Sequence, residues 1–209
     1  MYLPRPAIDA AAAACEDAGR EVGALLGAGE IADEDDFTSA LIESIRSRLG
    51  DLDLGGVLWR GRKTTSRFVG SEENRSGADL LGVLEVDLPD ISFRKGFLVQ
   101  AKKREKGGRG INRLREQCRK MLDVTPDAFV FLYSREGVDV LPALLFADGS
   151  LGFRHTEPWD LTRFFRAHFA SFIGDRKLGI GTRAEFATTL DLPPPRDVLI
   201  VTASLAEAD

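Results

Sequence analysis

Between Gly96 and Tyr133 the chain reads as strand, loop, helix and strand, and this run constrains the fold more than any other. Gly96 to Lys103 is apolar until its last residues and is read as a buried strand. A charged, glycine-rich loop follows over Glu105 to Gly110. Ile111 to Val124 then sets Ile111, Leu114, Cys118, Met121 and Leu122 on one helical face, Pro126 ends the helix, and Ala128 to Tyr133 is a second buried strand.

Upstream, Ala7 to about Leu26 is alanine-rich and predicts a helix ending at Gly27 and Gly29. Asp33 is the expected N-cap of a second helix, with Phe37, Leu41, Ile45 and Leu49 at four-residue intervals and a stop at Gly50. Candidate strands follow around Gly56 to Trp59, Arg67 to Val69 and Ala78 to Val86, the last turned by Asp87 to Asp90. Downstream come a strand near Val138 to Phe146, a phenylalanine-rich helix over Trp159 to Ile173 with Thr156 as N-cap, and a closing strand over Asp197 to Thr202. Leu192 to Arg196 reads as a rigid connector. The expected fold is α/β, an α+β sandwich whose central mixed sheet of four to five strands is flanked by helices. A chain of 209 residues supports one core. It is read as a single domain, with a helical extension over 1–30, a core over 33–134 and a C-terminal α/β extension over 135–209.

A hydrophobic fraction of 44% and a charged fraction of 29% are those of a globular protein. No apolar run approaches the ~18 residues of a membrane span. Met1 to Ala14 lacks a basic segment, so no signal peptide is expected and the chain reads as cytoplasmic, without a membrane partner. Cys15 and Cys118 read as buried small hydrophobes, and neither they nor His155 and His168 have zinc-ligand spacing. His168 shares an apolar face with Leu161, Phe164, Phe165 and Phe172 and reads as a packed core histidine. Any catalytic metal would therefore be bound by oxygen ligands.

The net charge of −5 is uneven: Arg94 to Lys120 holds eleven Lys or Arg against Glu105 and Glu116, a local +9 that leaves −14 elsewhere. Such a stripe suits a phosphate-binding surface, although taken by itself it favours a solvated loop and helix face. Within Gly96 to Lys103 the two-residue period sends Leu98, Gln100 and Lys102 to one side and Phe97, Val99 and Ala101 to the other. An amide and a lysine ending an apolar strand need an acid nearby. Asp79, opening the preceding strand, is the expected one if the two strands are antiparallel.

Gly77-Ala-Asp79, a gap of twenty residues, and Gln100-Ala-Lys102 followed by a helix resemble the PD-(D/E)XK nuclease signature, and more narrowly that of the Mrr-like restriction endonucleases, in which glutamine replaces the second acid. The similarity covers roughly Asp33 to Tyr133. It implies a restriction-endonuclease-like core in the order αβββαβ and a Mg2+-dependent (or Mn2+-dependent) DNA endonuclease of restriction or phage defence. It further implies that Asp79, the Gln100 side-chain oxygen and the Ala101 carbonyl ligate the metal, while Lys102 activates the water and stabilises the phosphorane. Gln100 departs from the commoner acid, which predicts weaker metal affinity and weighs against a two-metal mechanism.

Such nucleases often draw a further acid from the helix before the sheet. At 100° per residue Glu34 lies on the Phe37, Leu41 and Ile45 face and Glu43 on the opposite one, so Glu34 is the favoured candidate; complementing the helix dipole is an equal reading. Glu72 and Glu73 rank below it. Lys103, Arg104, Lys106, Arg109, Arg113 and Gln117, with Arg115, Arg119 and Lys120, are candidate nucleic-acid contacts that position rather than specify. The alternatives are a nuclease fold that only binds nucleic acid, which the uncharged Gln100 invites, and a junction resolvase. Without a helix-turn-helix or zinc module, selectivity is expected from a homodimer or a partner subunit.

Overall fold

The computed structural model describes residues 3–50, 52–54, 56–65, 75–104, 110–148 and 156–205. Two helices open the chain, α1 (Arg5–Ala28) and α2 (Glu34–Leu49), the second capped by the Asp33 carboxylate accepting from the Asp36 amide at 2.8 Å. Then come β1 (Leu52–Leu54), β2 (Val57–Thr65), β3 (Leu80–Leu88), β4 (Ile91–Lys103), α3 (Ile111–Val124), β5 (Ala128–Ser134) and β6 (Gly137–Pro142). The chain continues through α4 (Leu144–Ala147), α5 (Leu161–Phe169), a 3-10 turn (Arg176–Leu178), α6 (Arg183–Leu190) and β7 (Asp197–Leu205).

The fold is α/β, a mixed sheet flanked by helices, but the described sheet has seven strands rather than four to five, in the order β1-β2-β7-β3-β4-β5-β6. The count rises because β1 and β6 add the two edges and β7 inserts between β2 and β3, antiparallel to the first and parallel to the second. Segment 135–209, read from sequence as an extension, thus supplies a central strand and the edge strand β6. α1, α2 and α5 cover one face, over Trp59, Phe97, Phe129, Phe131 and Tyr133. α3, α4 and α6 cover the other, over Leu81, Leu98, Val130 and Ile200. Phe164 on α5 meets Phe97 and Phe129 edge-to-face, each with centroids 4.9 Å apart.

Several expected boundaries shift. α5 starts at Leu161, capped by Asp160 rather than Thr156, because Trp159 is held in a bridge to Val140. The helix ends at Phe169, and Phe172 is 84% exposed rather than packed beside His168. The segment expected as one strand to Phe146 turns into α4 after Pro142, and α6 was not anticipated. The candidate strand Arg67 to Val69 lies outside the described residues. Cys15, Cys118 and His168 are buried. Among the described residues no helix is long and apolar enough to cross a membrane.

β7 buries Val198, Leu199, Ile200 and Val201. At about 1.5–3 kcal/mol for each such side chain, removing the strand forfeits roughly as much as the 5–15 kcal/mol that hold a whole domain folded. A chain ending at Arg196 is therefore expected to lose cooperative unfolding and near-ultraviolet circular dichroism; a truncated chain that still melts in one sharp transition would contradict the central placement of β7.

Candidate active site

The start of β3, the end of β4, the start of β7 and the N-terminus of α2 meet at one end of the sheet. Gly77 brings the chain there: its φ is 73°, and a Cβ at this position would stand 2.4 Å from the Gln117 carbonyl oxygen of α3. Only glycine tolerates both the left-handed backbone and the close approach. Two residues on, the Asp79 amide donates to the Val99 carbonyl at 2.8 Å, and the Asp197 amide donates to the Asp79 carbonyl at 3.1 Å. Leu80 pairs with Val99, so Asp79 enters the sheet next to the end of β4 that carries Gln100.

The Asp79 Oδ2 accepts from the Ala101 amide at 2.9 Å and from Gln100 Nε2. The same Nε2 donates to the Ala101 carbonyl at 3.1 Å, so one NH2 group bridges two oxygens. Gln100 Oε1 is buried without a hydrogen-bond partner among the described residues. Burial pushes the Asp79 carboxyl up to about 7; the Ala101 N–H opposes this, Asp35 and Glu34 add to it, and Lys102 opposes it.

Lys102 Nζ lies 2.7 Å from Glu34 Oε1, which also accepts from the Lys103 amide at 3.0 Å. Glu34 is in the first turn of α2, and one turn on the Thr38 hydroxyl bonds the Tyr133 hydroxyl at 3.0 Å while Phe37 stacks on the Tyr133 ring at 3.8 Å. These contacts pin α2 to β5 and carry Glu34 over the end of β4. Burial raises the Tyr133 phenol well above its ordinary range.

Asp79, Gln100, Ala101, Lys102 and Glu34 are thus brought together. Lys103 joins through its amide. Arg104 turns away to an ion pair with Asp139 at 2.7 Å. On α3, Arg113 is exposed, Gln117 is half-buried with its carbonyl against Gly77, Lys120 pairs with Glu116 at 3.1 Å, and Arg119 donates to the Ala147 carbonyl at 2.8 Å. Arg115 is half-buried. Glu43 pairs with Arg46 on the exposed side of α2. Lys106, Arg109, Glu72, Glu73 and His155 lie outside the described residues.

Two acids beside the site escaped sequence reasoning. Asp35 pairs with Arg196 and adds to the negative field at Asp79. Asp197, 1% exposed at the head of β7, sits in register with Leu80. Asp35 was visible in the acidic first turn of α2, whereas nothing local tells Asp197 which strand will lie beside it.

Among the described residues no three or more His, Cys, Asp or Glu are placed to hold a metal ion. The oxygens that face one another are the Asp79 carboxylate, the Ala101 carbonyl and, after a half turn of the amide, Gln100 Oε1. Three such oxygens repel one another unless a cation or a proton sits among them. No family model, curated protein or solved structure matches the chain.

Between the ordinary carboxylate range and about 7, the folded chain keeps a proton on Asp79 that the unfolded chain has released, so stability falls as pH rises across that window. In EDTA, Asp79→Asn is expected to melt above the parent at about pH 8, with the gap closing as pH falls below the ordinary Asp value of about 3.9, where the side chain is neutral folded and unfolded alike. A gap independent of pH in thermal melts would refute the assignment of the shift to Asp79.

Proposed function

We propose that the chain is a Mg2+-dependent endonuclease hydrolysing DNA phosphodiester bonds, of the PD-(D/E)XK type that its sequence resembles, acting in restriction or phage defence. The observation that carries the reading is the Gln100 amide bridging the Asp79 carboxylate and the Ala101 carbonyl, with its own oxygen left without a partner. That NH2 group stands in the position of a cation. Turned over, the amide offers a third oxygen to a hard ion, and Mg2+ normally takes one or two carboxylates and completes its shell with water and substrate phosphate. Bound there, Mg2+ would polarise the phosphate and lower the pKa of water.

Lys102 ends the same strand two residues on and carries an ammonium 2.7 Å from Glu34. Exchanging Glu34 for a phosphate oxygen would place that charge where negative charge develops in the transition state. Arg113, exposed on α3, would hold the backbone of DNA. The αβββαβ order that the resemblance implies is not followed as such, since β1 precedes β2 at the sheet edge and β7 lies between β2 and β3, so the reading rests on the site and not on strand order.

One observation favours a second reading, a module that binds nucleic acid without cutting it: Asp79 is satisfied by Gln100 and Ala101, and Lys102 by Glu34. Supercoiled plasmid, linear and branched DNA incubated with Mg2+ or Mn2+ separate these readings and test for a junction resolvase. Cleavage is expected to fall at least ~100-fold in Lys102→Ala, the loss typical of removing one transition-state donor, and at least as far in Asp79→Ala, which removes the carboxylate that would hold the ion, both folded by circular dichroism. Full activity in both variants would end the nuclease reading. Salt-sensitive binding with no cleavage under either metal would establish the second.

A further inference from the structure

At the far end of β4 from Asp79, on the face covered by α1 and α5, a cavity of about 940 Å³ opens between the β3–β4 hairpin, the start of α1 and the turn after α5. Its wall is apolar: Ile8, Val86, Ile91, Phe93 and Phe169 line it. The turn after α5 holds Ser171 at a φ of 66° and presents Phe172, 84% exposed, at the rim. A large aromatic held outward by a left-handed residue is a costly arrangement for a purely solvated turn.

The polar groups around this wall are mostly of one sign. Arg5, Arg166, Arg176 and Lys95 line the cavity against Asp9. Asp9 is shared between Arg166 at 2.6 Å and Arg5 at 3.8 Å. Arg176 lies over the Phe93 ring, 5.9 Å from its centroid, and has no ion pair among the described residues. Lys95 is 3% exposed and donates to the His168 and Ile173 carbonyls, two of the three hydrogen bonds an ammonium can give. Burial pushes its amine down to about 8 while Asp127 opposes the shift, and a further carboxylate beside it would favour the charged form more.

We propose that this cavity binds a single-chain acyl carboxylate, its tail against the Phe93 and Ile91 wall and its head between Arg176 and Lys95. The volume lies within the range of small-molecule sites, the apolar wall matches a tail, and the cationic excess selects an anionic head over a neutral or cationic one. A nucleic acid has the charge but no apolar body to fill this wall. The site stands apart from the nuclease reading and does not depend on it.

The test is calorimetric titration of the full chain with decanoate below its micelle concentration, beside octanoate, decanol and decyltrimethylammonium. Saturable one-to-one binding of decanoate is expected, with octanoate weaker by about fifteenfold for its two missing methylenes. Decanol and decyltrimethylammonium are expected to bind at least about tenfold more weakly, for want of the charge-assisted bonds. Arg176→Glu, at an exposed position, is expected to weaken decanoate and leave decanol unchanged, whereas Phe93→Asp weakens both, each variant checked for an unaltered melting temperature. Decanol binding as tightly as decanoate, or an Arg176→Glu variant that loses both alike, would overturn the proposal. So would binding seen only with anionic vesicles, or a dimer in light scattering that leaves no free cavity to titrate.

Discussion

The hydrogen bond from the Asp79 amide to the Val99 carbonyl, at 2.8 Å, ties Asp79 to the residue that Leu80 pairs with and so anchors it at the start of the β3–β4 ladder. In this register Asp79 faces Gln100 and accepts from the Ala101 amide. A slip of one residue would send Asp79 to the opposite face, among the phenylalanines under α5. The hairpin turn is short and the strands are buried near Asp79, so the apolar pattern holds the register there: Leu80 with Val99 on one face, Leu81 with Leu98 on the other. The chemistry at the end of the sheet follows from that packing.

At this end the electrostatics oppose each other. Burial and the field of Asp35 and Glu34 favour a neutral Asp79, while the Ala101 N–H and Lys102 favour the anion. The Gln100 amide satisfies the carboxylate without supplying the positive charge that would settle the matter. Lys102 cannot supply it fully, because its nearest partner is Glu34. The arrangement leaves Gln100 Oε1 without a partner among the described residues and the buried carboxyl without a full positive charge beside it.

The C-terminal strand ties this end to the rest of the molecule. β7 runs beside β3, its Asp197 amide holds the Asp79 carbonyl, and the preceding Arg196 pairs with Asp35 of α2. A segment far away in sequence therefore fixes the backbone of one candidate residue and neutralises the acid next to another.

The sequence by itself determined the elements whose signals are local. The spacing of Phe37, Leu41 and Ile45 and the Asp33 cap define α2, the apolar face of Ile111 to Val124 defines α3, and the alternation in Gly96 to Lys103 puts Gln100 and Lys102 on one side of β4. Only the tertiary structure decided what those residues meet. The insertion of β7, the nearness of Asp35 and Asp197, the pairing of Arg104 with Asp139 and the outward turn of Phe172 all depend on neighbours remote along the chain. Hydrophobic period and capping act over a few residues and are written in them, whereas strand order and ion pairing are set by packing the whole sheet, which no local stretch encodes.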